Sequence, residues 1–254
     1  MPAVIGLLAF FCEFVDSSLG MGYGTTLTPV LLLLGFPANV IVPSILMSEL
    51  ASGLTAAAFH QKCGNVSLER GSKDRAIAIL LALTGAIGAV LAVFVALNLP
   101  PRALKGYIGT MVLAMGLLVL VFRKHKIRFS WPRILVLGIV SAFNKGISGG
   151  GYGPLVVSGQ ILSGANARNA IAITSLAEGL ICLVALVLYL TLNSGAHWLA
   201  RHWQFYTPMV AGALLAAPAA AYATKAVSRR LDLRLVVGLL TSILGAWTLI
   251  KTFG

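Results

Sequence analysis

The sequence predicts an all-α polytopic membrane protein made of two inverted repeats, each a glycine-broken, re-entrant helical hairpin followed by three transmembrane helices. Composition, six long apolar runs and a glycine-rich motif that occurs twice support this prediction. Of the 254 residues, 58% are hydrophobic and 10% are charged, whereas soluble domains carry about 25% charged residues. Because mean hydropathy is +0.93, the chain is expected to span the lipid bilayer repeatedly and to leave no length for a soluble catalytic domain.

The formal net charge of +12 does not indicate a nucleic-acid partner. The basic residues stand in short loops between apolar runs and form no continuous basic face. The three cysteines, Cys12, Cys63 and Cys182, lack the spacing of metal ligands and are odd in number, so neither a metal site nor a disulfide framework is expected. No cofactor is predicted.

Six apolar runs are long enough to cross a membrane, which takes about 20 residues. They are 40–59, 76–97, 106–122, 170–192, 205–223 and 235–250. Two further apolar regions, 4–34 and 134–162, are each interrupted by a glycine cluster. Each of these regions is too long for one span and too short for two. Broken helices are therefore expected here, with unwound backbone that is buried or lines a cavity.

The two glycine clusters belong to an internal repeat. A constant shift of 129 residues aligns the glycines and tyrosine of 20–24 with those of 149–153, and it also aligns Glu49 with Glu178. Chance rarely aligns a tyrosine between glycines and an intramembrane glutamate in one register. The predicted repeats are 1–125 and 126–254, joined by the basic linker 123–128.

Loop charges favour the hairpin topology. If all eight apolar regions crossed, the two sides would hold eleven and seven basic residues, whereas two re-entrant hairpins give fourteen against four. Cytoplasmic loops carry the excess of Lys and Arg. We therefore expect inverted repeats, the main basic loops in the cytoplasm and both termini outside.

Five ionisable residues lie within the apolar regions: Glu13, Asp16, Glu49, Glu178 and Lys145. Charge at this depth is costly, so such residues are functional candidates by default. Asp16 and Lys145 occupy equivalent repeat positions and could face each other. The pair could hold the two halves together, or Lys145 could contact an anionic substrate. Together the five carry a net charge of −3 if ionised, so at least one carboxyl is expected to be protonated or paired.

The glycine clusters can expose backbone N–H groups where one helix stops and another starts, which creates an anion site without a side-chain cation. The alternative is that these glycines permit close helix packing. The candidate substrate ligands surround both clusters: Ser17, Ser18, Gly20, Gly22, Gly24, Thr25, Asn144, Lys145, Ser148, Gly149, Gly151 and Gly153.

Glu49 and Glu178 each follow a broken region. They could exchange protons and couple substrate movement to the proton gradient, or each could cap the unwound backbone of its own repeat. The histidines, His60, His125, His197 and His202, stand at helix ends or in loops, where interfacial solvation explains them. No Ser/His/Asp arrangement or paired-carboxylate cleft is present, so an enzyme is not expected.

The motifs at 18–24 and 148–153, followed by Pro29 and Pro154, resemble those of the sulfite exporter TauE/SafE family, also called the TSUP (4-toluene sulfonate uptake permease) family. This resemblance covers essentially the whole chain. It implies a bacterial or archaeal inner-membrane permease for sulfite, thiosulfate or organosulfonates such as sulfoacetate, with the glycine motifs as substrate site. The expected partners are a small anion and the lipid bilayer, and a homodimer is left open. An anion channel and a non-transporting subunit of a complex remain alternative functions.

Overall fold

The computed structural model describes residues 1–122, 131–162, 165–192, 195–230 and 233–254. Within these ranges the chain forms helices and no strands, which confirms the all-α prediction. The predicted linker 123–128, with His125, lies outside the described residues.

Each half contains two helices that flank a glycine break, followed by three long helices. The first half consists of α1 (Pro2–Leu19), α2 (Tyr23–Leu33), α3 (Ala38–Lys62), α4 (Lys73–Asn98) and α5 (Pro101–Phe122). The second half consists of α6 (Trp131–Ser148), α7 (Tyr152–Leu162), α8 (Ala167–Leu192), α9 (Gly195–Arg230) and α10 (Leu233–Phe253). The three long helices of each half contain the six apolar runs that were predicted to span the membrane.

The first helix of each half ends at a glycine in the left-handed conformation. Gly20 has φ 74° and Gly149 has φ 75°, and residues with a side chain adopt this region only at a cost. The Gly20 N–H donates to the Asp16 carbonyl (2.5 Å), and the Gly149 N–H donates to the Lys145 carbonyl (2.8 Å). Positions that are 129 residues apart therefore share the same helix termination.

In the part of the chain that the structure describes, seven helices are long and apolar enough to cross a membrane by length and composition. Six of them are the predicted spans, and the seventh is α1, which the sequence assigned to a hairpin. Large apolar side chains face outward along these helices, among them Leu83, Leu215 and Ile250, as expected for contact with lipid tails. Whether the chain returns to its original side at each glycine break stays a prediction.

The two halves pack extensively against each other. Among the described residues, the six most extensive helix interfaces all join one half to the other: α1 with α9, α4 with α6, α3 with α9, α4 with α8, α3 with α8 and α5 with α10. Exchanging the halves maps this set of interfaces onto itself. The helices α3 and α8, which carry Glu49 and Glu178, are the most buried of the candidate spans.

Candidate functional site

The two glycine breaks lie directly against each other. A Cβ atom on Gly24 would collide with the Gly149 carbonyl oxygen, and one on Gly153 would collide with the Gly20 carbonyl oxygen. Only glycine permits this approach of backbone to backbone. The close-packing role that the sequence left as an alternative is therefore present in the structure, at equivalent positions of both halves.

We call the contact between the breaks 20–24 and 149–153 the glycine crossing. The short helices α2 and α7 begin there. The first N–H groups of a helix have no partner within the helix and carry partial positive charge. One of them is capped, because the Tyr23 N–H donates to Asp16 Oδ1 (3.1 Å). In the other half, the Gly150 N–H donates to Ser148 Oγ (3.1 Å), which donates to the Asn144 carbonyl (2.7 Å).

Lys145 forms a buried ion cluster with two glutamates. Its Nζ donates to Glu178 Oε1 (2.7 Å) and to Glu49 Oε2. Lys145 is fully buried, and the two glutamates are 4% and 6% exposed. Burial of a charge is tolerated when it is paired and hydrogen-bonded in this way. The cluster joins α6 to the two central helices, α3 and α8.

The structure corrects the expected pairing of Asp16 with Lys145. One carboxylate oxygen each of Asp16, Glu49 and Glu178 lies within 4.8 Å of the others, but the two ion pairs of Lys145 among the described residues are with the glutamates. Both carboxylates accept from the Lys145 ammonium, and the alternative that Glu49 and Glu178 also cap the unwound backbone of their own repeats stays a prediction. A constant sequence shift identifies equivalent positions and does not say which side chains meet.

The predicted hydroxyl ligands fall into two groups. Ser17 Oγ donates to Glu13 Oε1 (2.5 Å) and so belongs to the acidic cluster. Ser18 Oγ and Thr25 Oγ1 are buried, and neither has a hydrogen-bond partner among the described residues. Two unsatisfied hydroxyls beside a glycine break are available to a ligand, since buried polar groups are normally paired.

Comparison with known proteins places the whole chain in one family. The family model described as Sulfite exporter TauE/SafE matches residues 5–248. The chain belongs to the TauE/SafE sulfite exporter family. It is also 29% identical to the probable membrane transporter protein YtnM of Bacillus subtilis (strain 168), over 260 residues that cover 98% of this chain and 82% of that protein. Family and relative indicate a multi-pass membrane transporter rather than an enzyme.

In this TauE/SafE protein, tyrosines contribute to the site in a way that sequence reasoning missed. The Tyr107 hydroxyl donates to Asn144 Oδ1 (2.5 Å). The Tyr23 hydroxyl is bonded to Ser48, whereas the equivalent hydroxyl of Tyr152 is buried and has no partner among the described residues. The signal was available, since Tyr23 and Tyr152 stand inside the repeated motif, but they were used only to establish its register.

His60 is not solvated in this TauE/SafE protein, which corrects another expectation. It is fully buried, and its Nε2 is hydrogen-bonded to the Ser17 carbonyl (3.0 Å). At the equivalent positions, the Tyr189 hydroxyl donates to the Gly146 carbonyl (2.9 Å). Two different side chains thus hold the last turn before the glycine break in the two halves.

Proposed function

We propose that this protein is a secondary-active permease for small sulfur-containing anions, such as sulfite, thiosulfate or organosulfonates of the sulfoacetate type. Alternating access between two inverted repeats would move the anion, coupled to protons. The observation that carries the proposal is the buried Lys145 ammonium, which is paired with two glutamates and belongs to α6, the helix that ends at the glycine crossing. Family membership supports the transport of a sulfur anion, and the name of the relative supports membrane transport.

The glycine crossing supplies the features that an oxyanion requires. Helix N-termini from both halves meet there, and backbone N–H groups at such termini bind anions. The unsatisfied hydroxyls of Ser18, Thr25 and Tyr152 add further donors. Broken helices that meet between two repeats form the binding sites of several transporter folds. These points favour a substrate site at the crossing.

Proton coupling follows because the two glutamates and the substrate anion compete for the Lys145 ammonium. While Glu49 and Glu178 are ionised, the ammonium is neutralised and offers little attraction to an anion. A proton on either glutamate leaves one carboxylate on the ammonium and lowers the negative charge that faces the substrate. The two events therefore favour each other, as linkage requires. An anion would then be accompanied by at least one proton.

The matched packing of the halves supports alternating access. Interfaces such as α1 with α9 and α4 with α6 correspond under exchange of the halves, so a second, mirrored arrangement would have comparable contacts. With the repeats inverted, this second arrangement opens to the other side of the membrane. The sidedness proposed here is that of a bacterial or archaeal inner membrane, with the main basic loops cytoplasmic and both termini outside.

Flux measurements in proteoliposomes test this function. We expect saturable uptake of radiolabelled sulfite or thiosulfate that accelerates under an inward proton gradient. Lys145→Ala should abolish uptake, whereas Lys62→Ala, which removes an exposed lysine, should leave it intact. Ohmic, non-saturating anion current would instead indicate a channel. Absence of any flux, together with no change in melting temperature on adding these anions, would indicate a non-transporting subunit.

A further inference from the structure

A second polar site lies beside the ion cluster. A small cavity with a volume of about 10 Å³ is lined by Glu13, Asp16, Ser17, Glu49, Ser52, Gly53, Ser175 and Glu178. We call it the Glu13 cavity. Every polar side chain in its lining presents carboxylate or hydroxyl oxygens, and none presents nitrogen or sulfur. Oxygen ligands of this kind are those that hard cations prefer.

Two buried oxygens in the lining lack a partner. Glu13 Oε2 and Ser52 Oγ lie near each other, but neither makes a hydrogen bond of normal geometry among the described residues, and their residues are 2% and 0% exposed. The other oxygen of the Glu13 carboxylate accepts from Ser17 Oγ (2.5 Å), so the carboxylate is held in place while one oxygen stays unsatisfied. Buried acceptors are rarely left in this state. They indicate that the cavity accommodates a ligand with positive charge.

The net charge of the acidic groups around the cavity also favours a bound cation. The acidic groups here are Glu13, Asp16, Glu49 and Glu178, and the one described ammonium among them is Lys145. If all are ionised, the cluster has three negative charges in excess. One proton on the glutamate pair still leaves two. A cation bound in the cavity offsets this excess, as further protons on the carboxylates would.

Three side chains that the first half contributes to the Glu13 cavity have no polar counterpart in the second half. The positions equivalent to its carboxylate and its two serines of the first half carry Ala142, Gly146 and Ile181. The position equivalent to Asp16 carries Lys145, whose ammonium is a cation attached to the chain. The second half therefore carries a permanent cation at the position where the first half carries the Asp16 carboxylate. This asymmetry predicts one exchangeable cation per protein molecule.

We propose that the Glu13 cavity binds one monovalent alkali cation of the size of Na⁺. Glu13 Oε2 and Ser52 Oγ are its defining ligands, with Asp16 and Ser17 beside them. A cavity of about 10 Å³ holds little more than one particle of the size of water, so Na⁺ and Li⁺ are preferred to K⁺. The further statement that this cation is coupled to the anion rests on the proposed function, whereas binding of the cation does not.

The test is a titration of the purified protein with NaCl in the absence of any sulfur anion, with choline chloride holding the ionic strength constant. We expect the melting temperature to rise by about 2–5 °C and to saturate, with a smaller effect of KCl. Glu13→Gln and Ser52→Ala should each raise the half-saturating Na⁺ concentration by roughly tenfold or more, which corresponds to the loss of one charged or polar ligand.

Matched controls separate a ligand role from a general loss of polarity. Ser141 also has a fully buried hydroxyl without a partner among the described residues, but it does not line the cavity. Ser141→Ala should therefore retain the Na⁺ response, and so should Glu69→Gln, which changes an exposed carboxylate. If Glu13→Gln and Ser52→Ala fail to fold, binding of radioactive ²²Na⁺ to the unmodified protein decides alone.

Each outcome has a definite meaning. No Na⁺ response of the unmodified protein, an equal response to choline, or an unchanged response in Glu13→Gln would overturn the cation site. If sulfur anions are nevertheless transported without Na⁺, the proposed function stands and this site fails. If Na⁺ binds as expected but no sulfur anion moves, the cation site stands and the proposed function fails.

Discussion

Replacing Lys145 with methionine is expected to destabilise the protein by about 3–5 kcal/mol, the usual cost of removing one partner from a buried ion pair. The distances in the structure give an independent value for this loss of stability. Without the ammonium, Glu49 and Glu178 face each other with carboxylate oxygens within 4.8 Å. Two unit charges at this distance repel by at least about 3 kcal/mol at an effective dielectric constant of 20. The lost attraction to Lys145 adds to this repulsion.

Thermal unfolding of the purified protein in detergent at pH 8 measures this effect. A loss of 3 kcal/mol corresponds to a melting temperature lower by roughly 6–12 °C for a chain of this size. Lys62→Met, at an exposed position, is the control and should change the melting temperature little. The double variant Lys145→Met/Glu49→Gln should recover at least half of the loss, because one of the two repelling charges is gone.

Acidification provides a second readout of the same prediction. The destabilisation by Lys145→Met should shrink as the pH falls, because a proton on either Glu49 or Glu178 removes the repulsion. The predicted charge effect would be refuted if Lys145→Met and Lys62→Met had the same melting temperature at pH 8. It would equally be refuted if the double variant were no more stable than Lys145→Met alone, since the cost would then come from packing and not from charge.

Two further substitutions test the packing around the glycine breaks. Gly24→Ala should abolish folding or transport, because its Cβ would meet backbone of the other half. Gly159→Ala, whose Cβ would meet only a flexible leucine side chain, should leave melting temperature and uptake nearly unchanged; equal tolerance of both would contradict the close approach. Tyr189→Phe should lower stability by about 1 kcal/mol through the loss of one buried hydrogen bond. Tyr222→Phe, at an exposed ring, is its control, and an equal melting temperature of the two would contradict the bond.

The helices and their breaks could be predicted from the sequence because both depend on local properties. A run such as 76–97 needs only length and hydropathy to become a span, and the helix α4 contains it. The glycines at 20 and 149 terminate helices through their own backbone conformation. No knowledge of the surroundings was needed for either prediction.

The partners within the site could not be predicted, because they depend on how distant helices approach one another. Lys145 is 96 residues from Glu49 and 33 from Glu178, and the repeat alignment alone favoured Asp16. His60 was expected at the membrane interface because it lies near a helix end. It is buried under the loop that follows α3. There Asn65 Nδ2 is hydrogen-bonded to His60 Nδ1 (3.0 Å) and to the Ala221 carbonyl (3.1 Å) of α9.

The wide sequence separation within the ion cluster has a consequence for synthesis. Glu49 leaves the ribosome 96 residues before Lys145, which takes about 5–20 s at a synthesis rate of about 5–20 residues per second. During this interval α3 enters the membrane with an acidic side chain whose eventual partner does not exist. The glutamate must therefore be carried neutral or hydrated until α6 arrives. A ribosome that stalls between the two residues leaves an inserted fragment with an unmatched acid, a defect that membrane quality control can recognise.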